Sequence, residues 1–405
     1  MTRRSSSSAL VRASLALLVA AGAAGAGSAA ELPDPFPARP VQQAAIASDG
    51  TRLVLFFRSH LEDPILFGKD DPGLLTEWSG SSWSAAESIT NECHEPDVAV
   101  SGNQVAMLWT DDSVRPNATC EPSCRPARLL SYDSALHPRM TFVSASPVAS
   151  FTQVVGGNDR LFVERMDNPP LPGGPPELLG GNQCFDDPYF HCPSLESPAL
   201  AADGASWIAA YVALPLDGPC VGVRRGTAVP DTCLGVYAGD SLHAVEIAMV
   251  RGEPFVLWAE THSSGRGSTD FATAARFDPV SGWVLAEDVL GFTAGSGLSW
   301  QRIRAVSDGA EVTALYEQSD GRLVARAWNG TWRSLGVLAE AGASSSDLAL
   351  RQGVAYASFV LDGRAHVESL PEPEPAGLAI ASCAVLLAAR AGLRVGQRGR
   401  FLPTS

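Results

Sequence analysis

Between residues 31 and 370 the apolar positions fall in short alternating or continuous runs, each bounded by Gly, Asp, Asn or Ser, and no long 3.6-residue period appears. This pattern predicts an all-β chain. A unit recurs along it: an apolar strand, a glycine turn, then a second strand that ends in an aromatic, often with an acid after it. It runs from Ala45 through Gly50 to Phe57, from Asp97 through Gly102 to Trp109, and from Ala199 through Gly204 to Tyr211. Further copies run from Ile247 through Gly252 to Trp258, from Ile303 through Gly309 to Tyr316, and from Leu348 through Gly353 to Phe359. A degenerate copy is expected at Val154–Gly157 leading into Leu161–Val163.

Several units add a second hairpin in which the chain turns at glycine and resumes at tryptophan: Trp78–Trp83, Phe277–Trp283 and Trp328–Trp332. Four strands in about 50 residues is the content of one propeller blade, whereas an immunoglobulin-like sandwich needs about 100 residues per repeat. The expected fold is therefore a β-propeller. Seven turn glycines (50, 102, 157, 204, 252, 309 and 353) predict seven blades, with six as the alternative because the third copy is degenerate. The last unit lacks a fourth strand, and residues near Phe36–Val41 are expected to supply it and close the ring. The aromatic repeats resemble sialidase-like and related bacterial β-propellers at the level of the blade pattern. Ser48-Asp49-Gly50 and Ser307-Asp308-Gly309 are shortened relatives of the Asp-box, without its spacer and tryptophan.

The two ends read differently. Arg3, Arg4 and Arg12 precede an apolar core from Leu15 to Ala24, and Ser28 and Ala30 stand at −3 and −1 of a cleavage site, so residues 1–30 are expected to be a secretory signal with the mature chain starting near Glu31. Residues 371–405 open with Pro371-Glu372-Pro373-Glu374-Pro375, continue with an apolar run from Ala376 to Ala389, and end in a basic stretch with Arg390, Arg394, Arg398 and Arg400. This tail resembles the PEP-CTERM sorting signal, which implies recognition and cleavage by an exosortase-type processing enzyme. On physical grounds alone the apolar run is short for a transmembrane helix, but snorkelling of Arg390 and continuation through Leu393 lengthen it, and the arginines behind it favour the cytoplasmic side. The expected organisation is signal peptide 1–30, propeller ectodomain 31–370 and sorting or anchor tail 371–405. The expected location is the periplasm, outer membrane or surface of a Gram-negative bacterium, with the membrane engaged through the tail before processing.

Charge and cysteines fit export. The formal net charge is −15, and residues 1–30 and 376–405 contribute seven arginines and no acids, which leaves −22 for residues 31–375. Such a domain repels nucleic acid. Of eight cysteines, Cys383 lies in the apolar tail. Cys184 with Cys192 and Cys220 with Cys233 are spaced as loop clips, while Cys120 and Cys124 either pair together or one of them pairs with Cys93. Zinc is disfavoured, because neither Cys93-His94 nor His191-Cys192 has the spacing that turns both side chains to one ion. No cofactor is expected; the alternative is calcium on the acidic segments around His94, Glu95, Asp97, Asp111 and Asp112 or at Asp186-Asp187, although no Asp-x-Asp-x-Asp-Gly loop occurs.

No nucleophile elbow, phosphate-binding loop or His-Glu-x-x-His motif is present, so no residue is singled out as catalytic. Tyr211 and Tyr316-Glu317 occupy equivalent strand positions and are read as blade packing. The expected function is non-enzymatic binding of a glycan, matrix polymer or protein on a loop-rich face, where the insertions at 110–127, 166–197 and 214–235 gather. The competing readings are a sialidase-like glycoside hydrolase and a purely structural envelope protein. Arginines and carboxylates converging in the central channel would bring catalysis back into question.

Overall fold

In the computed structural model, seven antiparallel sheets form a closed ring. The structure describes residues 30–371 except 38–39, 63–68, 111–115, 122–134, 156–157, 166–176, 182–197, 214–218, 227–231, 236–240, 265–266, 286–289 and 292–298. Residues Ala30–Leu370 make one compact unit. The inner strands, in chain order, are Val41–Ser48, His94–Ser101, Ala135–Val143, Ala199–Asp203, Ser241–Val250, Trp300–Ser307 and Ser344–Arg351. Each packs against the inner strands of its two neighbours, and the seventh packs against the first.

Seven apolar clusters fill the seven seams between adjacent blades. This settles the blade count at seven. A blade presents apolar side chains on both faces because each sheet is sandwiched by its neighbours, which is why the inner runs are not cleanly alternating. Phe57 packs into the seam between blades 7 and 1, while its neighbour Phe56 packs into the seam between blades 1 and 2.

Antiparallel order fixes which connections share an end. All inner strands start at one end of the ring, here called the top, and finish at the bottom in turns of two to four residues. The bottom turns explain the repeated glycines: Gly50, Gly102, Gly204, Gly252, Gly309 and Gly353 all have positive φ. The Ser-Asp-Gly turns of blades 1 and 6 are built alike. Ser48 Oγ accepts from Gly50 N–H and Asp49 Oδ1 from Thr51 and Arg52 N–H, just as Ser307 Oγ accepts from Gly309 and Asp308 Oδ1 from Ala310 and Glu311.

Two expectations are corrected. In blade 3 the glycines at 156–157 lie between the second strand, Ser146–Val155, and the third, Asn158–Arg165. The bottom turn of that blade is at Ser144, which takes φ 58° without a glycine. The ring is closed by Ala30–Glu31 rather than by residues 36–41: Ala30 pairs with Ser369 and Glu31 with Glu368. Pro33, Pro35 and Pro37 lack the N–H that a ladder requires, and Phe36 instead packs on Phe57 at 5.3 Å between ring centroids. The Trp-bearing hairpins at 78–83, 277–283 and 328–332 lead into outer strands as expected.

Candidate functional site

The inner edge of each blade faces the axis with backbone N–H groups that have no strand partner. Side chains near the top of the inner strands answer that need. In blades 2, 3 and 7 the inner strand carries a bulge at its start, with positive φ at Glu95 (48°), His137 (55°) and Ser345 (55°). The next regular positions are Asp97, Arg139 and Asp347. Asp97 Oδ2 accepts from Met140 N–H of the next blade, and Asp347 Oδ2 accepts from Ile46 N–H at 2.8 Å in the same way. One level higher, Gln43 Oε1 accepts from Glu95 N–H at 2.8 Å and Glu95 Oε2 from His137 N–H at 2.7 Å.

At the Asp97 level a belt of alternating charge surrounds the axis. Arg139 lies 3.9 Å from Asp97 and 3.2 Å from Glu246; Arg304 lies 3.4 Å from Glu246 and 3.3 Å from Asp347. The order Asp97, Arg139, Glu246, Arg304, Asp347 draws on blades 2, 3, 5, 6 and 7. Blades 4 and 1 place Ala199 and Ala45 at the corresponding positions of their inner strands. The small Ala199 side chain leaves room for Arg139 to reach past blade 4 to Glu246.

All five side chains are largely buried. Burial pushes the Asp97 carboxyl up to about 7; Arg139 opposes the rise and the Asp347 charge adds to it. Arg304 falls to about 9, first through burial and then through repulsion by Arg139 and Arg302. Burial acts against the charge of Arg139 too, but Glu246, Asp97, Asp347 and Glu95 together hold its pKa above the ordinary value. With every group ionised the belt carries one excess negative charge, and a proton on Asp97, whose pKa burial raises to about 7, offsets it.

The space on either side of the belt is unequal. Above it, a cavity of about 50 Å³ is rimmed by Gln43, Glu95, His137, Arg302 and Ser345. Below it, the channel widens to about 400 Å³, with Ile46, Val98, Phe142, Leu200, Met249 and Leu350 among the residues that line it.

Sequence reasoning named Glu95 and Asp97 only as alternative calcium ligands and did not group them with Arg139, Glu246, Arg304 and Asp347. The belt residues are far apart in the chain, yet Asp97, Arg139, Glu246 and Asp347 each stand four residues before the end of their inner strand, and Arg304 three before the end of its own. Aligning the repeats on the bottom turns would have superimposed these charges. The tyrosines behave as expected: Tyr316 is buried against Trp300 at 5.7 Å, and Tyr211 is buried where Gly222 leaves it space.

The Cys220–Cys233 disulfide is formed and joins the third and fourth strands of blade 4. Of the two alternatives for Cys93, the bridge to Cys120 or Cys124 is not formed: Cys93 is an unbridged thiol buried in the seam between blades 1 and 2, where burial raises its pKa. Cys124, Cys184, Cys192, Asp111, Asp112, Asp186 and Asp187 lie outside the described residues, as do Glu372, Pro373, Glu374, Pro375, Arg390 and Arg394 of the tail. The side chain of Cys120 lies outside them as well, and Pro371 is the last described residue. Among the described residues no group of three or more His, Cys, Asp or Glu is arranged to hold a metal ion. Glu95 and Asp97 are engaged with backbone amides of the next blade.

No family model matches the chain, and no curated protein matches it. Solved structures do. A polysaccharide lyase, Uly1, is 8% identical with a TM-score of 0.48, over 82% of this chain and 90% of that one. KlAtg21, in complex with the coiled coil of AgAtg16, is 13% identical with a TM-score of 0.47, over 83% and 96%. A GH43_1 enzyme from Xanthomonas citri is 11% identical with a TM-score of 0.37, over 89% and 94%. Likeness at this level concerns architecture, and the chemistry of this chain rests on its own residues.

Proposed function

We propose that this chain is an exported, membrane-tethered β-propeller that binds a glycan, matrix polymer or protein at its top face without transforming it. The observation that supports this reading is the state of the axis. Its two arginines and three carboxylates engage one another and clasp adjacent blades, and the cavity above them holds about 50 Å³. Ligand pockets for small molecules run to about 300 Å³ or more, so a sugar ring does not fit in the cavity above the belt, whereas the channel below it, which Asp97 also lines, reaches that size. On this reading recognition takes place at the top rim of Gln43, Glu95, His137 and Arg302.

The test is a glycan and polymer array probed with the purified ectodomain, residues 31–370, and with Arg302→Ala and Glu95→Gln variants. Binding that both substitutions weaken supports the rim; binding indifferent to both removes it. An array without any bound ligand favours the structural role.

A second reading has one observation in its favour. A buried carboxyl with its pKa near 7 beside the Arg139 guanidinium is suited to carry a proton to a leaving group, which supports the sialidase-like glycoside hydrolase as the alternative, with Asp97 as the acid. The buried tyrosines weigh against that mechanism. Hydrolysis of aryl glycosides that disappears in Asp97→Asn would overturn the binding reading. The signal peptide, the exosortase-type processing enzyme and the Gram-negative surface location belong to the proposal and rest on the sequence of the two ends.

A further inference from the structure

The charges of the belt alternate around the axis except at one place. From blade 2 to blade 7 the order is acid, base, acid, base, acid, so the ring closes with two carboxylates, Asp347 and Asp97, on either side of blade 1, where Ala45 brings no charge. Both arginines hydrogen-bond Glu246, at 3.2 and 3.4 Å, on the far side of the ring from blade 1. Asp347 leans the other way, over blade 1, where its Oδ2 accepts from Ile46 N–H. Asp97 uses Oδ2 on Met140 N–H, and its Oδ1 lies 3.9 Å from Arg139, beyond hydrogen-bond reach. The unbalanced negative charge of the belt therefore sits at the blade 1 gap, on two side chains that are 8% and 9% exposed.

Beneath this gap the belt gives onto the wider part of the channel. That cavity holds about 400 Å³, within the range of small-molecule sites, and Asp97 and Asp347 both line it. Below the two carboxylates, the inner strands of blades 1, 2 and 7 add Ile46, Val98 and Leu350 to its wall. The cavity reaches Ser48 and Ser307, the last residues of their strands, at the bottom of the ring. From Asp97 to the strand end at Ser101 is four residues, about 13 Å. The cavity above the belt, at about 50 Å³, has no room for a body of that length. A molecule that fills the channel thus enters from the bottom and meets the carboxylate pair with its leading end.

We propose that the lower channel is a binding site for a small amphipathic cation, with a primary ammonium head between Asp97 and Asp347 and an apolar body along Ile46, Val98 and Leu350. An ammonium brings donors only, which suits carboxylate oxygens, and it supplies the positive charge that the belt lacks. A carboxylate or phosphate head would add to the excess negative charge, and both arginines are already engaged by Glu246. The site lies at the opposite end of the axis from the top rim and stands whether or not that rim binds a ligand.

Calorimetric titration of the full chain at pH 8 with n-hexylammonium, methylammonium, n-hexanol and hexanoate tests the site. Hexylammonium is expected to bind about tenfold or more tightly than each of the other three. Hexanol binding equally well overturns the charged head, methylammonium binding equally well overturns the apolar body, and hexanoate binding more tightly reverses the sign of the site. A titration without heat of binding for hexylammonium overturns the proposal as a whole. The ionisable groups around Asp97 are Arg139 and His137 of blade 3, Glu246 of blade 5, Arg302 and Arg304 of blade 6, Asp347 of blade 7 and Glu95 on its own strand; the inner strand of blade 1 brings none. Burial and the Asp347 charge raise the Asp97 carboxyl to about 7 against the pull of Arg139, so a bound ammonium displaces its proton. Binding to wild type should tighten about tenfold from pH 6 to pH 8. Asp97→Asn, which keeps an acceptor for Met140 N–H, should bind about tenfold more weakly at pH 8 and lose the pH dependence. A flat profile in wild type, or one that persists in Asp97→Asn, overturns Asp97 as the contact. The probe series and the pH profile use wild type, so they decide the proposal even where Asp97→Asn does not fold.

Discussion

The seams between blades and the belt around the axis solve the same problem with opposite means. A seam such as that between blades 4 and 5 joins Ile208, Val221, Val256 and Trp258 by apolar burial alone. The belt joins blades through charges whose desolvation costs nearly as much as their attraction returns. Apolar packing tolerates approximate geometry, whereas a buried carboxylate that must meet both an amide and a guanidinium accepts one arrangement. The difference suggests that the seams supply most of the stability and the belt sets how inner strands align with one another.

The largest expected effect is in the seams. Trp258, 1% exposed, also donates its Nε1–H to Glu260 at 3.0 Å. Trp258→Ala is expected to cost about 3–5 kcal/mol, read from urea unfolding midpoints. In the belt, Asp347→Ala strands the Ile46 N–H and unbalances Arg304, at about 2–4 kcal/mol. Adding Arg304→Met to Asp347→Leu should recover part of the loss of the single carboxylate change, because it removes the guanidinium left without its Asp347 partner. A double variant worse than either single would show that the belt is a net source of stability and erase the contrast.

A smaller effect is pH-dependent. The folded chain holds a proton on Asp97 up to about pH 7, while an unfolded aspartate releases it near pH 4. Folding takes up a proton in that window, so the contribution of Asp97 is complete below about pH 4 and is lost as pH rises through 7. Wild type should therefore lose more stability between pH 5 and pH 8 than Asp97→Asn does in paired thermal melts; equal losses would mean that Asp97 titrates normally. The smallest effect belongs to a surface pair outside both regions: Arg52→Ala, breaking the 2.7 Å contact to half-exposed Glu77, should change stability by about 0–1 kcal/mol.

The seams were legible in the sequence because they are local. Alternation within one strand, a glycine in the next turn and an aromatic at the following strand end, as in Asp97 to Trp109, identify a blade without knowledge of its neighbours. Blade 3 was misplaced because Ser144 makes its turn without glycine, while a glycine pair at 156–157 marks a different connection. The belt was not legible as a set because its members lie on five separate strands, each charge read only against its own strand. Only the closed ring brings Arg139 to Glu246, 107 residues away. The closing strand was missed for a related reason: two residues beside a presumed cleavage site carry no periodicity to read.

Ala30 and Ser369 are bonded across 339 positions of chain, so the circle is latched by its first and last described segments. A chain that is made in sequence order has no partner for its opening residues until nearly everything else has arrived. Six blades can assemble early, but the seventh waits with a bare sheet edge, open to the leading residues of a neighbouring copy. Crowding of copies during folding therefore favours exchange of latches between molecules, and a linked pair with reciprocally swapped amino termini is the misassembly this architecture invites.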